Sequence, residues 1–131
     1  MMKILLMLFV AVVAFILSCG KEPSREELAG QAAKACYDHL IAGRYDEFVA
    51  ATAGTDSLPE AYREQLVVNA RQFAALQKSE HNGICTVEVI RVKIDSLSGQ
   101  TDAFLMICFG DSTREEIVVP MIEQNGRWMM R

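Results

Sequence analysis

The chain has 131 residues, with 13 lysines and arginines, 17 aspartates and glutamates, and a formal net charge of −4. This length suits one domain with a single core and excludes a two-domain protein. Because the charge is mildly acidic and no block of basic residues occurs, nucleic acid is not an expected partner.

The N-terminal segment has the composition of a secretion signal. Lys3 precedes an uninterrupted apolar run over residues 4–17, and charged residues return at Lys21 and Glu22. This run is short for a helix that spans a bilayer, which needs about 20 apolar residues. The pattern predicts a signal peptide over residues 1–18, and an uncleaved anchor is the alternative.

The end of this run, Ile16-Leu17-Ser18-Cys19, resembles a bacterial lipoprotein box, although Leu17 stands where a small residue is usual. The resemblance implies that Cys19 becomes the N-terminus, with a diacylglyceryl group on its sulfur and an acyl chain on its amine. Each buried methylene contributes about 0.8 kcal/mol, so several acyl chains would hold the protein on the lipid bilayer. The coincidental alternative is that Cys19 is an ordinary core cysteine.

The resemblance also implies a cellular location. A lipid anchor at Cys19 places the protein in the bacterial cell envelope, with residues 19–23 as a lipidated tether. Cys19-Gly20-Lys21-Glu22 is similar to a tag that directs some lipoproteins to the outer face of the outer membrane. A solvated tether explains these residues equally well.

Three further cysteines follow, at Cys36, Cys85 and Cys108. An oxidising envelope permits one disulfide among them, and the sequence does not select the pair. Buried free cysteines that act as small apolar residues are the other interpretation. Their long spacings and the absence of a CxxC motif argue against a zinc site, and no cofactor motif is present.

Two capping-box spacings predict helix starts, one at Ser24 with Glu27 and one at Ser57 with Glu60. The first helix is expected over residues 25–42, followed by a short helix over residues 44–51. The second capping box should begin a helix that runs to about residue 78. The expected buried stripes are Leu28, Ala32, Ala35, Cys36, His39 and Leu40 in the first helix, and Tyr62, Leu66, Ala70, Phe73 and Leu76 in the last.

After His81, which is expected in a solvated turn, apolar residues alternate as in strands. Four strands are predicted, at residues 84–95, 101–109, 114–123 and 127–131. A change of parity between Val89 and Ile90 predicts a bulge, and Pro120 is expected in a second bulge opposite this bend. The apolar run of the second strand predicts cover on both faces over part of its length.

These elements predict an α+β fold in a single domain over residues 24–131, with N-terminal helices on one face of a curved antiparallel four-strand meander. The segment Gly43-Arg44-Tyr45-Asp46-Glu47-Phe48, and Val119-Pro120-Met121 followed by Gly126-Arg127-Trp128, resemble small bacterial lipoproteins of unknown function. Those proteins have the cone-shaped nuclear transport factor 2-like (cystatin-like) fold. The resemblance carries no catalytic residue with it.

His39 is the weak candidate for a catalytic base, because it lies on the apolar stripe of the first helix. The first hypothesis is a non-enzymatic binding or assembly domain, which contacts a second copy or another protein through the open sheet face. The alternative is a small-molecule binder or a lyase/isomerase that uses the cavity between the first helix and the sheet.

Overall fold

The structure is a computed structural model and describes residues 21–131. Within this range three α-helices precede one antiparallel sheet whose strands lie in the order β1-β2-β3-β4. The predicted α+β meander is therefore confirmed. The elements are α1 (Arg25–Ile41), α2 (Tyr45–Ala50), a 3-10 turn (Thr55–Ser57), α3 (Glu60–His81), β1 (Ile84–Ile94), β2 (Thr101–Phe109), β3 (Arg114–Gln124) and β4 (Arg127–Met130).

None of these helices is both long and apolar enough to cross a bilayer.

Helix α1 begins where the sequence predicted, because the backbone N–H of Glu27 donates to Ser24 Oγ at 3.1 Å. Its buried face differs from the prediction in the first turns, since Leu28 is 40% exposed. A Cβ on Gly30 would lie 3.1 Å from a methyl group of Val89 and of Val92. Only small residues fit at this distance, and the buried residues of α1 are Ala29, Gly30, Ala33, Cys36 and Leu40.

Helix α3 begins at Glu60, directly after Pro59, and no side chain caps it. The predicted capping box at Ser57 is wrong, because this residue ends the preceding 3-10 turn. The helix continues to His81, three residues beyond the prediction, and ends at Asn82 with a left-handed φ of 60°.

The predicted buried stripe of α3 is largely wrong. Ala70 is buried, but Tyr62, Phe73 and Leu76 are 55%, 43% and 50% exposed. The reason is that α3 packs mainly on the two-turn helix α2 and contacts the sheet mainly at β1. A short neighbour cannot cover the whole apolar face of a 22-residue helix.

Two register shifts bend the edge strand β1. Val89 pairs with Leu105 and Arg91 with Phe104, so that Ile90 is the extra residue of the predicted bulge, which is confirmed. A second shift, which no sequence pattern predicted, lies between Ile84 and Thr86.

The predicted bulge at Pro120 is wrong, because β2 and β3 pair without a shift and Pro120 lies opposite Asp102. The carbonyl of Pro120 accepts from the N–H of Arg131 at 2.9 Å. In a strand the N–H and C=O of one residue point to the same side. The side of Pro120 that lacks an N–H therefore faces the end of β4. The hydrogen bonds between β2 and β3 are not affected by the proline.

Successive side chains of strand β2 point to opposite faces of the sheet and differ in burial. Thr101, Ala103, Leu105, Ile107 and Phe109 are buried against the helices, and the residues between them are only half-buried. The predicted cover on both faces is therefore wrong for residues 21–131, since the described helices all pack on one side.

Candidate functional site

The face of the sheet that points away from the helices is called the open face. Strand pairing places side chains from all four strands on it. The residues that define it are Thr86, Glu88, Arg91 and Lys93 of β1, Asp102, Phe104, Met106 and Cys108 of β2, Arg114, Glu116, Val118, Pro120, Ile122 and Gln124 of β3, and Arg127 and Met129 of β4.

The centre of the open face is apolar. Phe104, Met106, Ile122 and Met129 are half-buried, and Val118 is 52% exposed. These side chains are adjacent because Phe104 pairs with Val118 and Ile122 pairs with Met129. Neighbouring apolar side chains at this exposure form a patch, and a patch of this kind is typical of an interaction surface.

One ion pair crosses the open face. The guanidinium carbon of Arg91 lies 4.1 Å from the centre of the Phe104 ring. The same guanidinium approaches Glu116 on β3 at 3.1 Å. Both side chains of the pair are about half exposed, and ion pairs of this kind contribute about 0 to 1 kcal/mol. Little free energy is therefore needed to rearrange Arg91 when another surface covers Phe104.

The charges on the open face are of both signs. The basic side chains are Arg91, Lys93, Arg114 and Arg127, and the acidic ones are Glu88, Asp102 and Glu116. Each sign occurs both on β1 and on β3, so that neither edge has a uniform charge. The open face is therefore an apolar centre surrounded by mixed charges.

His39, the candidate base, lies near the C-terminal end of α1 beside α2. Its Nδ1 is 2.9 Å from Glu47 Oε2 and 3.0 Å from Arg44 Nε. The two contacts require opposite states of this nitrogen, because it must donate to the carboxylate and accept from the guanidinium. They are therefore alternatives. Asp38, the neighbour in sequence, instead pairs with Lys34 at 2.9 Å.

Several grooves lie among the helices of residues 21–131, and two of them can be compared with the position of His39. The larger, of about 610 Å³, separates α2 from α3, and Val49, Glu60 and Arg71 are among its lining residues. The smaller, of about 350 Å³, lies between α1, α3 and the start of β1. His39 lines neither groove. Among residues 21–131, His, Cys, Asp and Glu side chains form no group of three or more that could hold a metal ion.

The predicted position of His81 in a turn is wrong, although its side chain is 37% exposed. His81 is the last residue of α3, and its Nδ1 lies 3.0 Å from Asp111 Oδ2 in the β2–β3 turn. Its ring packs on Phe109 at a centroid distance of 4.7 Å. Hydrogen bonds from Thr113, and a smaller contribution from His81, lower the pKa of Asp111 to about 2. This cluster fastens the turn to the helix.

The three cysteines of the described range are free thiols in different environments. Cys36 is buried in the core between α1 and the sheet, and burial raises the pKa of its thiol. Cys85 is exposed, and Cys108 is half-buried on the open face. Cys19, the predicted lipidation site, lies outside the described residues.

Helices on one face of a four-strand antiparallel meander define an α+β fold. No protein family profile matches the sequence of this chain, and no curated protein does. A crystal structure from Campylobacter jejuni, of a protein provisionally described as an NTF2-like transpeptidase, matches with a TM-score of 0.59. The match covers 75% of this chain and 92% of that chain at 12% sequence identity.

At this identity the likeness concerns the fold alone. The chain has the nuclear transport factor 2-like fold, as the sequence resemblance implied.

Proposed function

We propose that this chain is a lipid-anchored protein of the bacterial cell envelope whose domain binds a second copy of itself through the open face. The observation that carries the binding role is an apolar sheet face that residues 21–131 leave uncovered. The proposed role is assembly and not catalysis.

The lipid anchor is supported by the apolar run before Cys19 and by the residues that follow it. Residues 21–24 are exposed and precede α1, which suits a short tether between a lipid and a folded domain. The outer membrane is the proposed location, because Gly20, Lys21 and Glu22 are similar to the tag that directs some lipoproteins there.

The charge pattern of the open face favours a second copy as the partner. In a two-fold interface the same patch occurs on both sides, so a patch of one sign would repel itself. The open face has four basic and three acidic side chains, so both signs are present. Glu88 on β1 and Arg114 on β3 flank the apolar centre at opposite edges. A two-fold axis in the plane of the interface can place Glu88 of one copy opposite Arg114 of the other. Phe104 and Val118 of both copies would then lie between these charged pairs.

The partner is tested by counting chains per particle. Sedimentation equilibrium of the full chain in a density-matched detergent should give two protein chains at micromolar concentration. Val118→Glu should give one, because a charge would enter the apolar centre of both copies. Loss of the two valine contacts alone costs about 2 kcal/mol, or roughly a 30-fold weaker dimer.

Leu97→Glu is the matched control, because Leu97 is 97% exposed in the β1–β2 turn. This variant should remain a dimer. Wild-type chains that stay single at micromolar concentration would contradict dimerisation, and two chains per particle in Val118→Glu would place the contact elsewhere.

The anchor is tested separately with Cys19→Ser. Mass analysis of the wild-type N-terminus should show an acylated cysteine at position 19, and the protein should sediment with membranes. The serine variant should lose both properties, because a hydroxyl cannot form the thioether. A variant that remains membrane-bound and unprocessed would show that the apolar run is an uncleaved anchor.

The alternative is a small-molecule binder or a lyase/isomerase between α1 and the sheet. The groove of about 350 Å³ beside β1 is the place for it, and Leu40, Ile84 and Lys78 line it. Lys78→Ala tests this groove directly and His39→Ala tests the candidate base, since an assembly domain should keep its cellular phenotype with either substitution. Loss of phenotype in a variant that remains folded and dimeric would favour the alternative.

A further inference from the structure

The unpredicted bulge at the start of β1 brings two cysteines together. Ile84 pairs with Phe109 and Thr86 pairs with Cys108, so that Cys85 is an extra residue between two consecutive pairs. In a bulge, two residues of one strand lie opposite one residue of the other. Phe109 and Ile84 pack toward the core, whereas Cys85 and Thr86 are both exposed. Cys85 and Thr86 therefore share the position opposite Cys108.

From this register we infer a Cα separation between Cys85 and Cys108 that a disulfide can join. Residues directly opposite in antiparallel strands have Cα atoms about 4.5 to 5.5 Å apart. Disulfides join Cα atoms that are about 4.4 to 6.8 Å apart. Both cysteines are also accessible to a reagent, since Cys85 is exposed and Cys108 is half-buried.

Cys36 is not a competitor for either partner. It lies between α1 and the sheet and is 4% exposed, with Ala33 and Leu105 in the same core cluster. Cys108 instead lies on the open face, on the other side of β2. A bond from Cys36 would have to pass through the sheet.

We propose that Cys85 and Cys108 form a cross-strand disulfide and that Cys36 is the thiol left over. The oxidant is a small-molecule or protein disulfide. The thiolate of Cys85 attacks one of its sulfurs, which gives a mixed disulfide and releases one thiol. The thiolate of Cys108 then attacks the sulfur of Cys85 and releases the second thiol. The two cysteines lose two electrons and two protons, and the oxidant becomes two thiols.

The pairing can be read directly from tryptic peptides, because each cysteine lies in a different one. Cys36 is in peptide 35–44, Cys85 in 79–91, and Cys108 in 94–114. The full chain is incubated with oxidised glutathione under native conditions, denatured, alkylated and digested. We expect peptide 79–91 joined to 94–114, with a mass two hydrogens below the sum of the two, and an alkylated 35–44.

Two variants and one unfolded sample complete the experiment. Cys36→Ser should keep the linked peptides, and Cys108→Ser should leave glutathione on Cys85 as the trapped first intermediate. The same chain oxidised in urea should give a mixture of pairs, because only the folded sheet holds Cys85 opposite Cys108. A native link to Cys36, or full alkylation of Cys85 and Cys108 after oxidation, overturns the proposal.

Discussion

Gly110 fixes the β2–β3 turn against the end of α3, and we expect Gly110→Ala to destabilise the fold. An added Cβ would overlap the backbone oxygen of Asn82 and lie 3.0 Å from its carbonyl carbon. Backbone atoms cannot rotate away as a flexible side chain can. The turn must therefore move, and with it the hydrogen bonds from Gly110 N to Gly83 O at 2.8 Å and from Asp111 N to His81 O at 2.9 Å.

The magnitude follows from these two bonds. Each backbone hydrogen bond contributes about 1 kcal/mol net, so their loss lowers the free energy of unfolding by about 2 kcal/mol. A domain of about 100 residues loses about 4 °C in Tm for each kcal/mol, which gives a decrease of about 8 °C. Thermal unfolding followed by circular dichroism measures this decrease.

A second glycine provides the control. Gly126 has a φ of +78°, and a Cβ there would meet no atom within 4 Å. Gly126→Ala should therefore cost only the left-handed backbone penalty, about 1 to 2 kcal/mol. Gly110 has no such φ, and alanine at an unstrained glycine usually stabilises a protein by about 0.4 to 1 kcal/mol. A Tm of Gly110→Ala equal to or above that of the wild type would refute the steric argument.

Two further predictions concern the core and the acid limit of stability. Leu105 is 0% exposed, so Leu105→Ala should lower the free energy of unfolding by about 2 to 5 kcal/mol in urea titrations, whereas Leu105→Met should cost less than about 1.5 kcal/mol. The pKa of Asp111 falls from 3.8 to about 2 in the folded protein, so its carboxylate stabilises the fold above pH 4. This contribution is lost as the pH falls from about 4 to 2. Asp111→Asn should therefore show a weaker loss of stability over this interval. An unchanged pH profile would count against the hydrogen bonds from Thr113 and the contact with His81 as the cause of the lowered pKa.

Features that depend on neighbouring residues were predictable from the sequence. Ser24 caps α1 because Glu27 is three residues away, which is a local spacing. Ile90 is an extra residue because the apolar alternation changes phase at that point. Asn125 and Gly126 both have positive φ, at 52° and 78°, as a tight hairpin turn requires. The order of helices and strands then led to the correct fold.

Features that depend on distant residues were not predictable. Leu28 has the right spacing for a buried stripe, but the close approach of Gly30 to Val89 and Val92 turns the face of α1 toward its small residues. His81 had no assignable partner in the sequence, because Asp111 is 30 residues away. The same applies to Cys85 and Cys108, whose proposed pairing depends on the register of β1 against β2.

The sequence by itself therefore determined which segments are helices or strands and that one sheet face would contact the helices. Hydrogen bonding and periodicity within a segment contain that information. Only the tertiary structure decided which side chains lie together on the opposite face, where strand register pairs Phe104 with Val118. Periodicity shows that a face is apolar, whereas the elements that cover it are set by lengths, crossing positions and strand register between distant parts of the chain.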